Sequence, residues 1–103
     1  MTFKVRLLLG AAAPFVFTLP AVAQVTISTA TTAPVETATA NAGAASDVTI
    51  ASGGSVSPTT ASTTAVTVNS NNDIINNGTI SFNNLNDTTG VRLLPGFTGS
   101  YGG

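Results

Sequence analysis

The chain has 103 residues, enough for one small domain, and its 3 basic and 4 acidic side chains leave a net charge of −1, with no cysteine and no histidine. That composition excludes disulfide stapling, thiol or imidazole catalysis and the usual zinc ligand sets. So sparse a charge also provides no basic stripe to neutralise phosphates, which argues against nucleic acid and anionic membrane surfaces as partners.

Residues 1–23 have the three-part pattern of a cleavable export signal. Lys4 and Arg6 form a positive start, Leu7 to Leu19 is an apolar run containing Pro14, and Ala21, Val22 and Ala23 put small residues where a signal peptidase reads them. Cleavage is expected between Ala23 and Gln24. The run from Leu7 to Leu19 falls well short of the about 20 residues needed to cross a bilayer as a helix. The chain is therefore expected to leave the cytoplasm for the periplasm, the cell surface or the medium. Removing the signal leaves Arg92 alone against Glu36, Asp47, Asp73 and Asp87, a net charge of −3.

From Gln24 onward, Thr, Ser and Asn dominate the composition, far beyond ordinary loop content. Low charge and abundant Val, Ile and Thr point to strands rather than disorder. Residues 24–46 are Ala/Thr-rich with Pro34, and only Val25 to Ser28 alternates with period two. This segment is expected to be an N-terminal strand followed by a weakly ordered, low-complexity cap.

Residues 47–103 have a rhythm. Asp47 to Val56 (DVTIASGGSV) alternates, turns at Ser52 to Gly54, and restarts at Val56; Ala65 to Val68 (AVTV) repeats this, with a turn at Asn69 to Asn72 and a restart at Ile74 and Ile75. The offset from Val48 to Val66 equals that from Val56 to Ile74. A third pass begins at Gly90, with Val91 and Leu93 flanking Arg92; its offset, Val66 to Val91, is longer, and Asn83 to Thr89 reads as an inserted loop. Repetition at about 20 residues with short strands and polar turns predicts an all-β parallel β-helix of about three coils, the last one truncated. Inward Val, Ile and Leu would form columns about 4.8 Å apart per coil, and Asn and Thr could form ladders. Asn76, Asn77 and Gly78 predict a turn before a strand at Thr79 to Phe82. The same Asn-Gly pair could close a hairpin, and a hairpin meander stays open as an alternative; the recurring spacing favours the solenoid.

These phrases, with Asn77 to Ile80 (NGTI) and the signal, resemble the N-terminal passenger region of bacterial autotransporters over most of Val25 to Gly103. The resemblance implies a right-handed parallel β-helix at a Gram-negative cell surface, delivered by an outer-membrane β-barrel translocator that these residues do not include. About three coils is the minimum for stability, and an uncapped C-terminal edge predicts marginal folding alone or edge-to-edge self-association.

Candidate sites are few. Asp73 and Asp87 could form a carboxylate pair for hydrolysis, but both read more simply as solvated turn residues. An Asp/Asn-rich turn at Asn69 to Asp73 could hold calcium, yet lacks the nonapeptide calcium-roll pattern, and ordinary turn chemistry accounts for it. Asn77 to Thr79 and Asn86 to Thr88 match the glycosylation sequon, which an Asn/Thr-rich chain produces by coincidence. Arg92 and Tyr101 are expected to be outward solubilising and packing positions, and Phe82 and Phe97 to cover the apolar column. No catalytic, cofactor-binding or metal residue is nominated. The expectation is a non-catalytic surface scaffold or adhesin-like passenger piece that meets surface or matrix ligands. The alternatives are the N-terminal part of a carbohydrate- or peptide-cleaving surface enzyme whose site lies beyond residue 103, and a disordered export product.

Overall fold

The computed structural model describes residues 24–103, so the expected signal segment, including Ala23, lies outside the described residues. Ten short strands run in order: β1 (Gln24–Ile27), β2 (Ala30–Thr31), β3 (Val35–Glu36), β4 (Asp47–Ile50), β5 (Ser55–Val56), β6 (Thr64–Val68), β7 (Ile74–Asn76), β8 (Thr79–Ile80), β9 (Thr89–Leu93) and β10 (Tyr101–Gly102). Every strand pairing is parallel. The strands form three faces, β1-β4-β7-β10, β2-β5-β8 and β3-β6-β9. The fold is thus an all-β parallel solenoid of about three turns, and the hairpin meander is ruled out.

Register fixes what lies inside. Val25, Val48, Ile74 and Tyr101 stack on the first face, Thr31, Val56 and Ile80 on the second, and Val35, Val66 and Val91 on the third. Side chains alternate across a strand, and β4 follows that pattern with Val48 and Ile50 buried, whereas on β6 Ala65 and Thr67 are buried beside Val66 and Val68. The middle coil carries most of the core: Val48, Ile50, Val56, Ala65, Val66 and Val68 are buried, joined by Ile74 from the third. Val25, Ile27, Val35, Ile80, Phe82, Val91 and Tyr101 are only partly buried around it. The gradient is physical, because a coil hides its apolar interior only against neighbours.

Three expectations are corrected. Val48 pairs with Ile74 and Val66 with Val91, so the coil repeat is the longer of the two spacings, and the Val48-to-Val66 offset measures the step from the first face to the third within one coil. Asn83 to Thr89 is not an insertion: residues 83–88 belong to the same corner as residues 57–63 one coil earlier, and Thr89 opens β9 opposite Thr64. Residues 24–46 form a complete coil with a strand on each face, because its short strands pair along the well-formed second coil. That first coil departs from the others where it leaves the third face. There residues 37–46 make an excursion closed by the Asn41–Ala44 bridge, with Ala42 (φ 52°) and Gly43 (φ 95°) in left-handed conformation.

The corners explain the Gly and Asn content. At the first-to-second corner, an added Cβ on Gly54 would meet the Ile27 carbonyl, and one on Gly78 would meet the carbonyls of Gly54 and Ala51. Backbones stack there too closely for any side chain. Asn76 Oδ1 accepts from the Gly78 N–H at 2.9 Å, the Asx turn expected of Asn at that position.

Candidate binding surfaces

The polar run Asn69 to Asp73 sits at the third-to-first corner, and its side chains tie coils together. Asn69 Oδ1 accepts from the Ala38 N–H at 2.9 Å, and Asn69 Nδ2 donates to Glu36 Oε1 at 3.1 Å. The fully buried Thr37 is reached by the Asn69 N–H at 3.1 Å and by Ser70 Oγ at 2.8 Å. Buried polar groups require such partners. Asp47 Oδ1 accepts from Asn72 Nδ2 at 3.0 Å and from the Asp73 N–H at 2.9 Å. One coil on, Asp73 Oδ1 accepts from the Ser100 N–H at 2.8 Å and its hydroxyl at 3.0 Å. Gln24, Asp47, Asp73 and Ser100 occupy one column, in which each aspartate caps the backbone of the next coil.

These bonds account for most of the candidate residues. Asp73 is engaged in capping, whereas Asp87 lies at a different corner, in the 81–88 connection, with φ 57°. The structure assigns the two carboxylates to separate corners, and it commits the Asn69–Asp73 side chains to coil-to-coil bonds. Among the described residues no group of three or more His, Cys, Asp or Glu could hold a metal ion. Gln24, the expected new N-terminus, opens β1 and donates from Nε2 to Thr49 Oγ1 at 2.7 Å. Arg92 is exposed on β9 as expected. Tyr101 is not outward: it continues the Val25–Val48–Ile74 column, packs on the core and accepts at Oη from Asn76 Nδ2 at 3.0 Å. Phe82 packs against the core, but Phe97 is 45% exposed and lies outside it.

Two concave surfaces stand out among the described residues. At the N-terminal end, a mouth of about 260 Å³ opens onto Val25, Ile27, Thr31 and Val35, with Glu36 at its rim. It is the inside of the first coil seen end on. A groove of about 400 Å³, more apolar than polar in its lining, runs over Thr32, Ser57, Pro58, Ser81, Asn83 and Leu85 at the second-to-third corner. Ser57 Oγ and Ser81 Oγ lie 2.8 Å apart within it, a hydroxyl ladder between the second and third coils. Neither feature was singled out from sequence. The ladder emerges only when successive coils are aligned at their true repeat, and Glu36 gave one signal, as the sole acid in an Ala/Thr-rich stretch. Among the described residues no helix is long and apolar enough to cross a membrane. Comparison with protein-family models, with curated proteins and with solved structures finds no match to this chain.

Proposed function

We propose that the chain is an exported, non-catalytic surface scaffold of the autotransporter-passenger kind, released from its signal between Ala23 and Gln24 and delivered by an outer-membrane β-barrel translocator. The observation that carries this reading is how the polar side chains are used. Asp47, Asp73, Asn69 and Asn72 bond coil to coil, and the outward positions are dominated by uncharged hydroxyl and amide groups. A stacked surface of this composition suits many weak hydrogen-bonded contacts to surface or matrix glycans and proteins rather than one reactive centre. Coils add length and area without adding charge, which fits a spacer or adhesive role.

Expression in a Gram-negative host tests the export step. N-terminal sequencing of the exported chain is expected to begin at Gln24; retention of residues 1–23 on cytoplasmic protein would refute export. The coding sequence following Gly103 tests the class. Further coils and barrel strands without an inserted domain favour the scaffold, and an inserted domain bearing a His- or acid-containing site favours a surface enzyme.

A further inference from the structure

We propose that Asn77 and Gly78 form a self-modifying site: the native corner holds succinimide formation off, opening of that corner releases it, and the isoaspartyl product keeps the coil from stacking again. This goes beyond the scaffold reading and rests on one lateral corner, whatever precedes or follows the described coils.

The fold itself creates the labile pair. Gly78 sits where the third coil crosses the Gly54 and Ala51 carbonyls, and a Cβ there has no room. Asn77 precedes it, in the one Asn-Gly pair of the chain. A following residue without Cβ leaves its amide nitrogen sterically free to reach the asparagine side-chain carbonyl. The reaction needs only hydroxide and water. Once deprotonated, the Gly78 nitrogen attacks Asn77 Cγ, the Cγ–Nδ2 bond breaks, and Nδ2 takes a proton from water and leaves as ammonia. Water then opens the cyclic imide at either carbonyl. One product is aspartate with the ordinary main chain, the other isoaspartate with the main chain routed through Cβ and Cγ.

In the native corner the electrophile is open and the nucleophile is held. Asn77 is exposed, and among the described residues its side chain has no hydrogen-bond partner. The Gly78 N–H, by contrast, donates to Asn76 Oδ1 at 2.9 Å, and Asn76 is fixed in turn by donating from Nδ2 to Tyr101 Oη at 3.0 Å. The backbone on either side is tied to the second coil, with the Asn77 N–H donating to the Ile50 carbonyl at 2.7 Å and the Thr79 N–H to the Gly54 carbonyl at 3.2 Å. Stripping the Gly78 proton and turning its nitrogen onto Asn77 requires these bonds to let go.

The same two ties set the consequence. The extra main-chain atom of isoaspartate falls between the N–H of residue 77 and that of residue 79, whose acceptors stand at fixed points of the second coil. One of the bonds must be lost, at the corner where the backbones pack too closely to absorb a shift. A single opening event is thereby recorded covalently.

Peptide mass mapping of the full chain, incubated in mildly alkaline buffer with and without concentrated urea, tests the proposal. In urea, Asn77 is expected to convert faster than any other asparagine; in buffer alone it should convert at least about ten-fold more slowly, as for a group that reacts only when its segment opens. Asn76→Ala removes the acceptor of the Gly78 N–H and should raise the rate in buffer by about two- to ten-fold, the worth of one hydrogen bond. Asn76→Asp keeps an acceptor oxygen and should stay near wild type. Circular dichroism checks that each variant folds, and the wild-type comparison of buffer with urea stands without them. The isoaspartyl chain, separated by ion exchange, should melt below the unconverted chain and exchange amide hydrogens faster around β7 and β8, whereas Asn77→Asp, with an ordinary main chain, should match wild type. Equal rates in buffer and urea, another asparagine outpacing Asn77 in urea, a native rate indifferent to a folded Asn76→Ala, or an isoaspartyl chain that melts like the unconverted one overturns the proposal.

Discussion

The column Val35–Val66–Val91 places one residue type at three levels of the same stack, which isolates the contribution of neighbouring coils. Val66 is fully buried between the other two, whereas Val35 and Val91 are half-buried at the ends. Truncation to alanine removes the same two methyl groups each time, about 1.6 kcal/mol of transfer free energy when fully buried. At Val66 the closed surroundings add a cavity term, giving about 2–3 kcal/mol. At Val35 and Val91 solvent already reaches the side chain, and the cost falls to about 1 kcal/mol. A domain of this size has about 4–12 kcal/mol in total, so Val66→Ala removes a large share. Urea titrations at low protein concentration, with unchanged m-values, measure the three differences. Equal costs at all three positions would falsify the stacking argument.

Further variants probe the corners. Gly78→Ala drives a Cβ into the Gly54 and Ala51 carbonyls and should cost about 2 kcal/mol or more, in the upper range of overpacking. Gly90→Ala, whose added Cβ meets nothing nearer than Ile80 Cγ2 at 3.9 Å, should stay within about 0.5 kcal/mol or stabilise slightly; thermal melts of the pair separate the two. Asn69→Ala removes the Oδ1 acceptor of the Thr37 hydroxyl and the Ala38 N–H, while the residue-69 N–H still reaches Thr37 Oγ1, at about 1–3 kcal/mol by chemical denaturation. Asp73→Ala uncaps Ser100 and should speed hydrogen exchange around β10, while Asp73→Asn, which keeps an acceptor oxygen, should leave it near wild type.

The fold class was legible because β-branched alternation and Asn/Gly turns are local signals, and strands β4 to β9 lie where that pattern places them. The coil length was not. Residues 47–50 and 65–68 carry the same alternation because both strands face one interior, so overlaying like on like matched two faces of a single coil. Only the spacing from Val66 to Val91 reported the true repeat. The first coil was obscured for another reason: β2 and β3 have two residues each, and Thr31 stands where the other coils have Val56 and Ile80. Their order depends on pairing with the next coil, which local composition does not encode. The Asn69–Asp73 run showed its turn chemistry, but its partners Glu36, Thr37 and Ala38 lie a whole coil earlier in the chain. Tyr101 was misassigned because its inward column is defined by Val25, Val48 and Ile74, a register set by the full coil length.

Backbone NOEs across the first face test the three-faced stack and its repeat together. The described fold requires contacts between Val48 and Ile74, and between Thr49 and Ile75, in parallel register. NOEs joining Val48 to Val66 instead, or antiparallel contacts flanking Asn77–Gly78, would contradict it.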